Sequence, residues 1–310
     1  MAQVYFSKFN INSEIYKVYE DSSLKSKILN EVFNKLDNDQ FYDETSKELN
    51  GEEKTIRYKF CDLIKYNDDS TIIGRLVKIY PGEIQSYDAK KDTVVTKNAD
   101  NCAASSTFLL DLHNEEVAFI TRLGLGYNQF NTHFKILVDN LFDDFSFELM
   151  LENNIGELKR KIKNLKRIIS IQSVIIPPNA STKDFDIIFG PSADDFKKSG
   201  ATKCITTLEV PKKGNASINI ETDYHKKIFY AVAKGYGSMT VIGKDNNNDN
   251  ARVTSELDAP YSISIPDSEK DSLIAFKERT GPGISKLIID KQNAAENSLS
   301  GGNSIEGENK

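Results

Sequence analysis

Apolar and polar positions repeat along this chain with both the two-residue period of strands and the longer period of helices. Residues 4–11 predict a strand, and residues 24–36 predict a helix because apolar side chains recur there at every fourth position. Further strands are predicted at residues 56–66, 71–80, 107–112, 116–121, 145–151, 168–176, 203–210, 217–220, 239–242 and 261–265. Further helices are predicted at residues 130–141, 155–165 and 222–234 and after Asp267, with Gly235 free to end the third of them in a left-handed conformation. Because strands and helices do not strictly alternate, we expect an α+β fold with mixed, largely antiparallel sheets and packed helices.

The same pattern predicts how the chain is divided. A β-branched strand is followed by Pro177 and Pro178, which continue neither a helix nor a central strand, and residues 177–200 have the composition of a connector. We therefore expect an N-terminal α+β module over residues 1–178 and a C-terminal α+β module over residues 179–290. Residues 291–310 are rich in Asn, Ser, Gly and Glu and predict a disordered tail.

Composition narrows the class of protein. The 310 residues carry 40 basic and 46 acidic side chains, a net charge of -6, which argues against a surface built throughout to coat nucleic acid. The three cysteines, Cys61, Cys102 and Cys204, form no Cys-x-x-Cys pair, so neither a disulfide framework nor a zinc ribbon is expected. No apolar run reaches the roughly 18 residues of a membrane span, and no secretory segment is recognised after Met1. These features predict a soluble, unprocessed cytoplasmic protein that has no membrane association.

Common catalytic motifs are missing from the sequence. Gly124-Leu125-Gly126 lies between a predicted strand and a predicted helix, but Gln129 stands where a dinucleotide loop needs its third glycine. The three histidines have no zinc-binding spacing, and no Gly-x-Ser-x-Gly elbow occurs. The sequence therefore leaves open whether this is an enzyme and predicts no cofactor and no metal site of its own.

One pattern is typical of metal-dependent nucleases. These enzymes gather carboxylates around Mg²⁺ or Mn²⁺ beside a lysine, often as an acid followed by an acid-x-Lys triplet on a neighbouring strand. Here Asp194 or Asp195 precedes Glu209-Val210-Pro211-Lys212, which is one residue longer than that triplet. The alternative is a plain turn, which Pro211 favours.

A cluster of basic residues follows Glu157 on the predicted helix. Most of its members fall opposite the apolar stripe of that helix, namely Lys159, Arg160, Lys161, Lys163, Lys166 and Arg167. We consider Lys159, Arg160, Lys163, Lys166 and Arg167 candidates for binding a nucleic acid or an acidic partner. The alternative is a solvated helix face.

The middle of the chain resembles a known family. The segments that carry the resemblance are Thr107-Phe108-Leu109-Leu110-Asp111, the helix of residues 128–140, the strand of residues 145–151, Ile155-x-x-Leu158 and Ile175-Ile176-Pro177-Pro178-Asn179. Over about two-thirds of the chain they resemble bacterial proteins that are known as a domain of unknown function and are found beside phage-defence and mobile-element genes. The resemblance implies a bacterial cytoplasmic protein and an abortive-infection or toxin component. It supplies no catalytic residues.

The sequence therefore supports two hypotheses about function. The first is an interaction or effector protein that acts by binding a protein or nucleic-acid partner. The alternative is a metal-dependent nuclease that uses Asp194 or Asp195, Glu209 and Lys212, with Mg²⁺ or Mn²⁺ as its cofactor. The oligomeric state is not predicted.

Overall fold

A computed structural model describes residues 1–47, 53–179 and 181–299. It confirms the α+β class, with antiparallel sheets and packed helices. The strands are β1 (Ala2–Ile11), β2 (Phe41–Lys47), β3 (Glu53–Tyr66), β4 (Thr71–Asp88), β5 (Thr93–Asp111), β6 (Glu116–Ile120), β7 (Phe147–Leu151), β8 (Arg167–Ile175), β9 (Cys204–Glu209), β10 (Gly237–Lys244), β11 (Asn250–Thr254) and β12 (Ser262–Ile265). The α-helices are α1 (Ile15–Glu20), α2 (Ser22–Lys35), α3 (Tyr127–Asp139), α4 (Ile155–Lys163), α5 (Thr182–Phe189), α6 (Ala193–Ser199), α7 (Asp223–Ala233), α8 (Ser255–Asp258) and α9 (Leu273–Leu299).

The strands form two antiparallel sheets. The larger sheet has eight strands in the order β12-β1-β6-β5-β4-β3-β2, and β7 pairs with β1. Strand β12 pairs with residues 2–5 of β1, and β7 pairs with residues 7–11. Strand β6 pairs with residues 4–8, which overlap both stretches, so β12 and β7 lie one after the other along the opposite edge of β1. The smaller sheet has the order β11-β10-β8-β9.

Both faces of the larger sheet are covered. Because side chains alternate along a strand, odd-numbered residues of β1 such as Phe9 pack on one face against α1, α2 and α3. The even-numbered Val4 and Phe6 pack on the other face against α9, which comes so close that a Cβ on Gly283 would lie 3.2 Å from the ring of Phe6. Farther along, α9 reaches the core of the smaller sheet through Ala295. Among the described residues, no helix is both long and apolar enough to cross a membrane.

Several expected elements are corrected by the structure. The connector over residues 177–200 is wrong, because α5 and α6 form there, and residues 217–220 are not a strand. The tail is wrong for residues 291–299, which continue α9, whereas residues 300–310 lie outside the described residues. The division into two modules stays a prediction. Strand β12 and helix α9, both placed in the second module, pack on the larger sheet.

Candidate functional site

The residues predicted for a nuclease are spread over two elements and a turn. Asp194 and Asp195 are exposed in the first turn of α6, and Glu209 is exposed at the end of β9, where the Ser170 hydroxyl donates to its Oε1 at 3.4 Å. Lys212 is exposed in the turn that follows β9. Within the described ranges, no group of three or more histidine, cysteine, aspartate or glutamate side chains is arranged to hold a metal ion. The structure therefore gives these acids no metal-binding arrangement.

The predicted basic face does not form as one helical surface. Helix α4 ends at Lys163, so Lys166 and Arg167 lie beyond it, and Arg167 begins β8. The partners of the set lie within the chain: Arg160 pairs with Glu157 at 2.6 Å, Lys163 pairs with Glu221 at 3.1 Å, Lys159 donates to Ser298 at 3.0 Å, and Arg167 donates to the carbonyls of Pro211, Lys212 and Ala216. Lys166 is exposed. Because most of these donors already have acceptors, the face offers few of them to phosphates.

A cluster of buried charges lies on the face of the larger sheet that α9 covers. The two-residue period places Lys8 of β1 after Val4 and Phe6 on that face, and register places Lys8 directly opposite Glu116 of β6. Glu152 follows the last residue of β7. Lys291 extends the buried stripe of α9 one turn beyond Leu287. We call Lys8, Lys25, Glu115, Glu116, Glu152 and Lys291 the buried charge cluster.

The cluster has two halves that meet at Lys8. In one half, Lys8 Nζ lies 3.0 Å from Glu115 Oε2, and Lys25 pairs with the other oxygen of Glu115. In the other half, Lys291 Nζ donates to Glu116 Oε1 at 2.8 Å and to Glu152 Oε1, and Lys8 Nζ lies 3.9 Å from Glu116 Oε1. Glu116 and Glu152 are 1% and 0% exposed, so one ammonium serves two carboxyl groups that are almost fully buried.

The pKa values of the cluster follow from burial and neighbours. Burial raises the pKa of Glu152, and Glu116 adds to the shift, while Lys291 only partly opposes it. For Lys291, burial disfavours the charged form, yet Glu116 and Glu152 outweigh it and raise the pKa. For Glu115, burial is outweighed by Lys8 and Lys25, which lower its pKa. Lys291 therefore keeps its charge, and the pKa of Glu152, raised to about 8, favours its protonated form at pH 7.

The smaller sheet closes the cluster through the turn between α7 and β10. Gly235 has φ +77°, and a Cβ there would lie 2.4 Å from Glu152 Oε1 and 2.7 Å from Lys8 Cβ. Asn10 donates to the Gly235 carbonyl at 3.2 Å. Only a residue without a side chain fits this approach, so Gly235 brings the backbone of the second sheet onto the charged residues.

A cleft of about 220 Å³ opens beside the cluster. It is lined by Lys8, His113, Asn114, Glu116, Lys234, Tyr236, Ile288, Lys291 and Gln292. Perturbed titratable groups that line a cleft are a common mark of a functional site. This cleft is therefore the strongest candidate for a site that binds a small ligand.

Comparison with known families gives one result. Residues 41–279 match the family model described as "Domain of unknown function (DUF4747)", which is more than half of the chain. The chain belongs to the DUF4747 family. No curated protein matches it. The region that matches the DUF4747 model includes Glu115, Glu116, Glu152 and Tyr236, whereas Lys8 and Lys291 lie outside it.

Sequence reasoning missed the buried charge cluster of this DUF4747 protein. One signal for it was present, because Lys8 interrupts an apolar strand and Glu115-Glu116 directly precedes another. Lys291 falls in the tail that the sequence predicts. Its role depends on α9 crossing the sheet, which no local pattern indicates.

Proposed function

We propose that this protein is an interaction or effector protein that binds a partner protein through a projecting β-ribbon. The ribbon comprises residues 83–88 of β4 and 93–98 of β5, paired from Glu83 opposite Asn98 to Asp88 opposite Thr93. The pairing of β3 with β4 ends at Ile79, and the pairing of β5 with β6 covers only Phe108 to Asp111. Within the described residues, both outer edges of the ribbon are therefore without a strand neighbour.

The observation that carries the proposal is the exposure of apolar side chains on this ribbon. Ile84, Tyr87 and Val94 are 55%, 65% and 59% exposed. Tyr87 and Val94 are direct cross-strand partners on one face, and Ile84 lies on the opposite face. Two-stranded ribbons are marginally stable in water, and clustered exposed apolar residues commonly mark sites of protein association. Apolar groups on both faces favour a partner with a groove that holds the ribbon.

Charge favours a protein partner over nucleic acid. The ribbon and its turn carry Glu83, Asp88 and Asp92 against Lys90, Lys91 and Lys97, so three acidic groups balance three basic groups. Binding to nucleic acid is driven by neutralising phosphates and needs a net positive surface. The predicted basic face is also largely paired within the chain, as described above. Neither surface therefore favours a nucleic-acid partner.

The cellular setting is part of the same proposal. The resemblance to proteins found beside phage-defence genes leads us to propose a cytoplasmic component of a bacterial defence system. Metal-dependent cleavage, the alternative from the sequence, gains no supporting arrangement of acids in the described residues.

The test is site-specific crosslinking from the ribbon. A photoreactive residue at Tyr87 should give one discrete adduct in the source bacterium, and the same residue at the exposed Tyr224 of α7 should not. The partner identified in this way, once purified, should bind the full chain directly. Ile84→Asp with Val94→Asp should weaken that binding at least about tenfold, because each places a charge in an apolar contact.

The matched control is Ile274→Asp on α9, whose side chain is 65% exposed and lies outside the ribbon. Binding that falls equally in the control and in the ribbon variants would contradict the proposal, as would the absence of any adduct specific to position 87. Self-association of the purified protein that the ribbon variants abolish would identify a second copy as the occupant and overturn the separate partner.

A further inference from the structure

The cleft beside the buried charge cluster contains two polar atoms that lack partners. Glu116 is 1% exposed, and its Oε2 accepts no hydrogen bond within the described residues. Tyr236 is 7% exposed and also lines the cleft, and no hydrogen bond to its hydroxyl is formed in the part of the chain that the structure describes. Buried polar atoms are nearly always satisfied, so the unpartnered Glu116 Oε2 indicates a ligand or ordered water in the cleft, and the Tyr236 hydroxyl is a further group that can bond to it.

The same cleft also presents cationic groups. Lys234 Nζ lies 3.9 Å from Asp184 Oδ2, beyond hydrogen-bond distance, and its side chain is 23% exposed. Lys291 Nζ donates to two carboxyl oxygens and retains a third N–H. Lys8 Nζ donates to the Asn114 carbonyl at 2.8 Å and lies 3.0 Å from Glu115 Oε2. A ligand in this cleft would therefore meet positive charge at Lys234 and Lys291 and a hydrogen-bond acceptor at Glu116.

We propose that the cleft binds a protonated phosphate group, either hydrogen phosphate or a phosphate monoester. Its P–OH would donate to Glu116 Oε2, and its anionic oxygens would accept from Lys234, Lys291 and the Tyr236 hydroxyl. Hydrogen phosphate combines a neutral donor and an anion in one tetrahedral group. An amine donor would bring a second positive charge to a carboxylate that Lys291 already contacts at 2.8 Å, so a zwitterion fits less well.

The size of the cleft agrees with this ligand. A water molecule takes about 30 Å³ of liquid volume, so a cleft of about 220 Å³ holds a phosphate group with several waters or a small substituent. The proposal does not depend on the partner-binding role of the ribbon, because the two surfaces share no residues.

The decisive experiment compares phosphate with sulfate. Sulfate has the same shape and similar charge at neutral pH but carries no proton, so it cannot donate to Glu116. Titration calorimetry on the full chain should show saturable binding of inorganic phosphate and at least about tenfold weaker binding of sulfate, since hydrogen bonds to charged groups are the strong ones. Methyl phosphate, compared with inorganic phosphate at about pH 5.5, where a monoester still carries a P–OH because its second pKa is about 6, separates the two sources. Tighter binding than inorganic phosphate would assign a monoester site, and weaker binding would assign free phosphate.

Variants locate the site. Tyr236→Phe and Lys234→Met should each weaken phosphate binding about tenfold, while Lys198→Met, which removes an exposed lysine on α6, should leave it unchanged. Glu116→Gln supplies an amide donor in place of an acceptor, so it should reduce the preference for phosphate over sulfate. Circular dichroism and the urea midpoint confirm that each variant is folded.

Three results would overturn the proposal. The first is equal binding of phosphate and sulfate by the wild-type chain, which would show that the ligand donates no proton to Glu116. The second is an equal effect of Lys198→Met and Lys234→Met, which would place the anion elsewhere. The third is the absence of saturable phosphate binding, which would indicate that ordered water, and not phosphate, bonds to the unpartnered atoms.

Discussion

Replacing Lys291 by methionine tests whether the buried charge cluster holds α9 on the sheet. Methionine keeps the length and apolar stem of lysine but removes the ammonium group, so packing is nearly preserved while charge is lost. Lys291 is 8% exposed, and its Nζ serves Glu116 and Glu152, which are 1% and 0% exposed. After the substitution, Lys8 Nζ, 3.9 Å from Glu116 Oε1, is the nearest remaining ammonium described for these two groups.

The magnitude follows from this geometry. Removing one partner of a buried ion pair typically costs 3–5 kcal/mol, because the other charge stays buried without compensation. Here Glu152 can take up a proton, which limits the loss, so we expect a decrease of about 3 kcal/mol in the free energy of unfolding at pH 7. The loss should depend on pH. In the wild type the folded-state pKa of Glu152 is already raised from 4.5 to about 8, and without Lys291 it rises further. Above pH 8 the folded variant therefore keeps a proton that the folded wild type releases, so the stability of the variant goes on falling with pH and its deficit grows.

Urea unfolding at pH 7 and pH 9 measures both effects. The matched control is Lys286→Met on the same helix, an exposed site where we expect a change within about 0.5 kcal/mol. Adding Glu152→Gln to Lys291→Met should recover about 1–2 kcal/mol, because glutamine is neutral without the cost of taking up a proton on folding. The reasoning is refuted if Lys291→Met is as stable as Lys286→Met at pH 7, or if its deficit is the same at both pH values.

Two further predictions concern other buried groups. Gly235→Ala should destabilise the chain by about 3 kcal/mol, because the added Cβ would lie 2.4 Å from Glu152 Oε1. Gly124→Ala, at the same φ of +77° but with nothing within 4 Å, should cost about 1 kcal/mol. Equal losses in thermal or urea unfolding would show that the close approach at Gly235 does not add to the cost. The ring of His133 stacks on that of Tyr58, with the ring centroids 3.6 Å apart, and burial lowers the pKa of His133 below 6.5. The unfolded chain therefore binds a proton more readily there, and stability should fall as pH falls through 6.5. His133→Phe should lose less stability than the wild type between pH 7 and pH 5, and an equal loss in urea unfolding would contradict this.

Much of the fold could be predicted because its signals are local. The period of apolar residues located β1, α2, α7 and most strands of the larger sheet. The left-handed turn at Gly235 was also predicted, and its φ of +77° confirms it. Elements with weaker patterns were missed. Strand β2 is largely polar, and α5 and α6 lie in a segment rich in proline and glycine that reads locally as a connector.

The candidate sites show the same division. The ribbon lies beyond the strand predicted at residues 71–80, and the structure shows that it is a paired extension of β4 and β5. The basic residues are recognisable in the sequence because they lie close together, but their acceptors, such as Glu221 for Lys163, come from elsewhere in the chain. A charge run does not indicate whether its charges are already paired.

By itself, the sequence determined the α+β class, most strand and helix positions and the absence of familiar catalytic motifs, because each depends on residues that are neighbours in the chain. The tertiary structure alone decided that Lys8, Glu116, Glu152 and Lys291 meet under α9. These residues are up to 283 positions apart, from Lys8 to Lys291, and only the pairing of β1 with β6 and β7 and the path of α9 bring them into one buried cluster. Chemistry that depends on such long-range contacts has no local signature, since each lysine and glutamate looks in the sequence like any other surface charge.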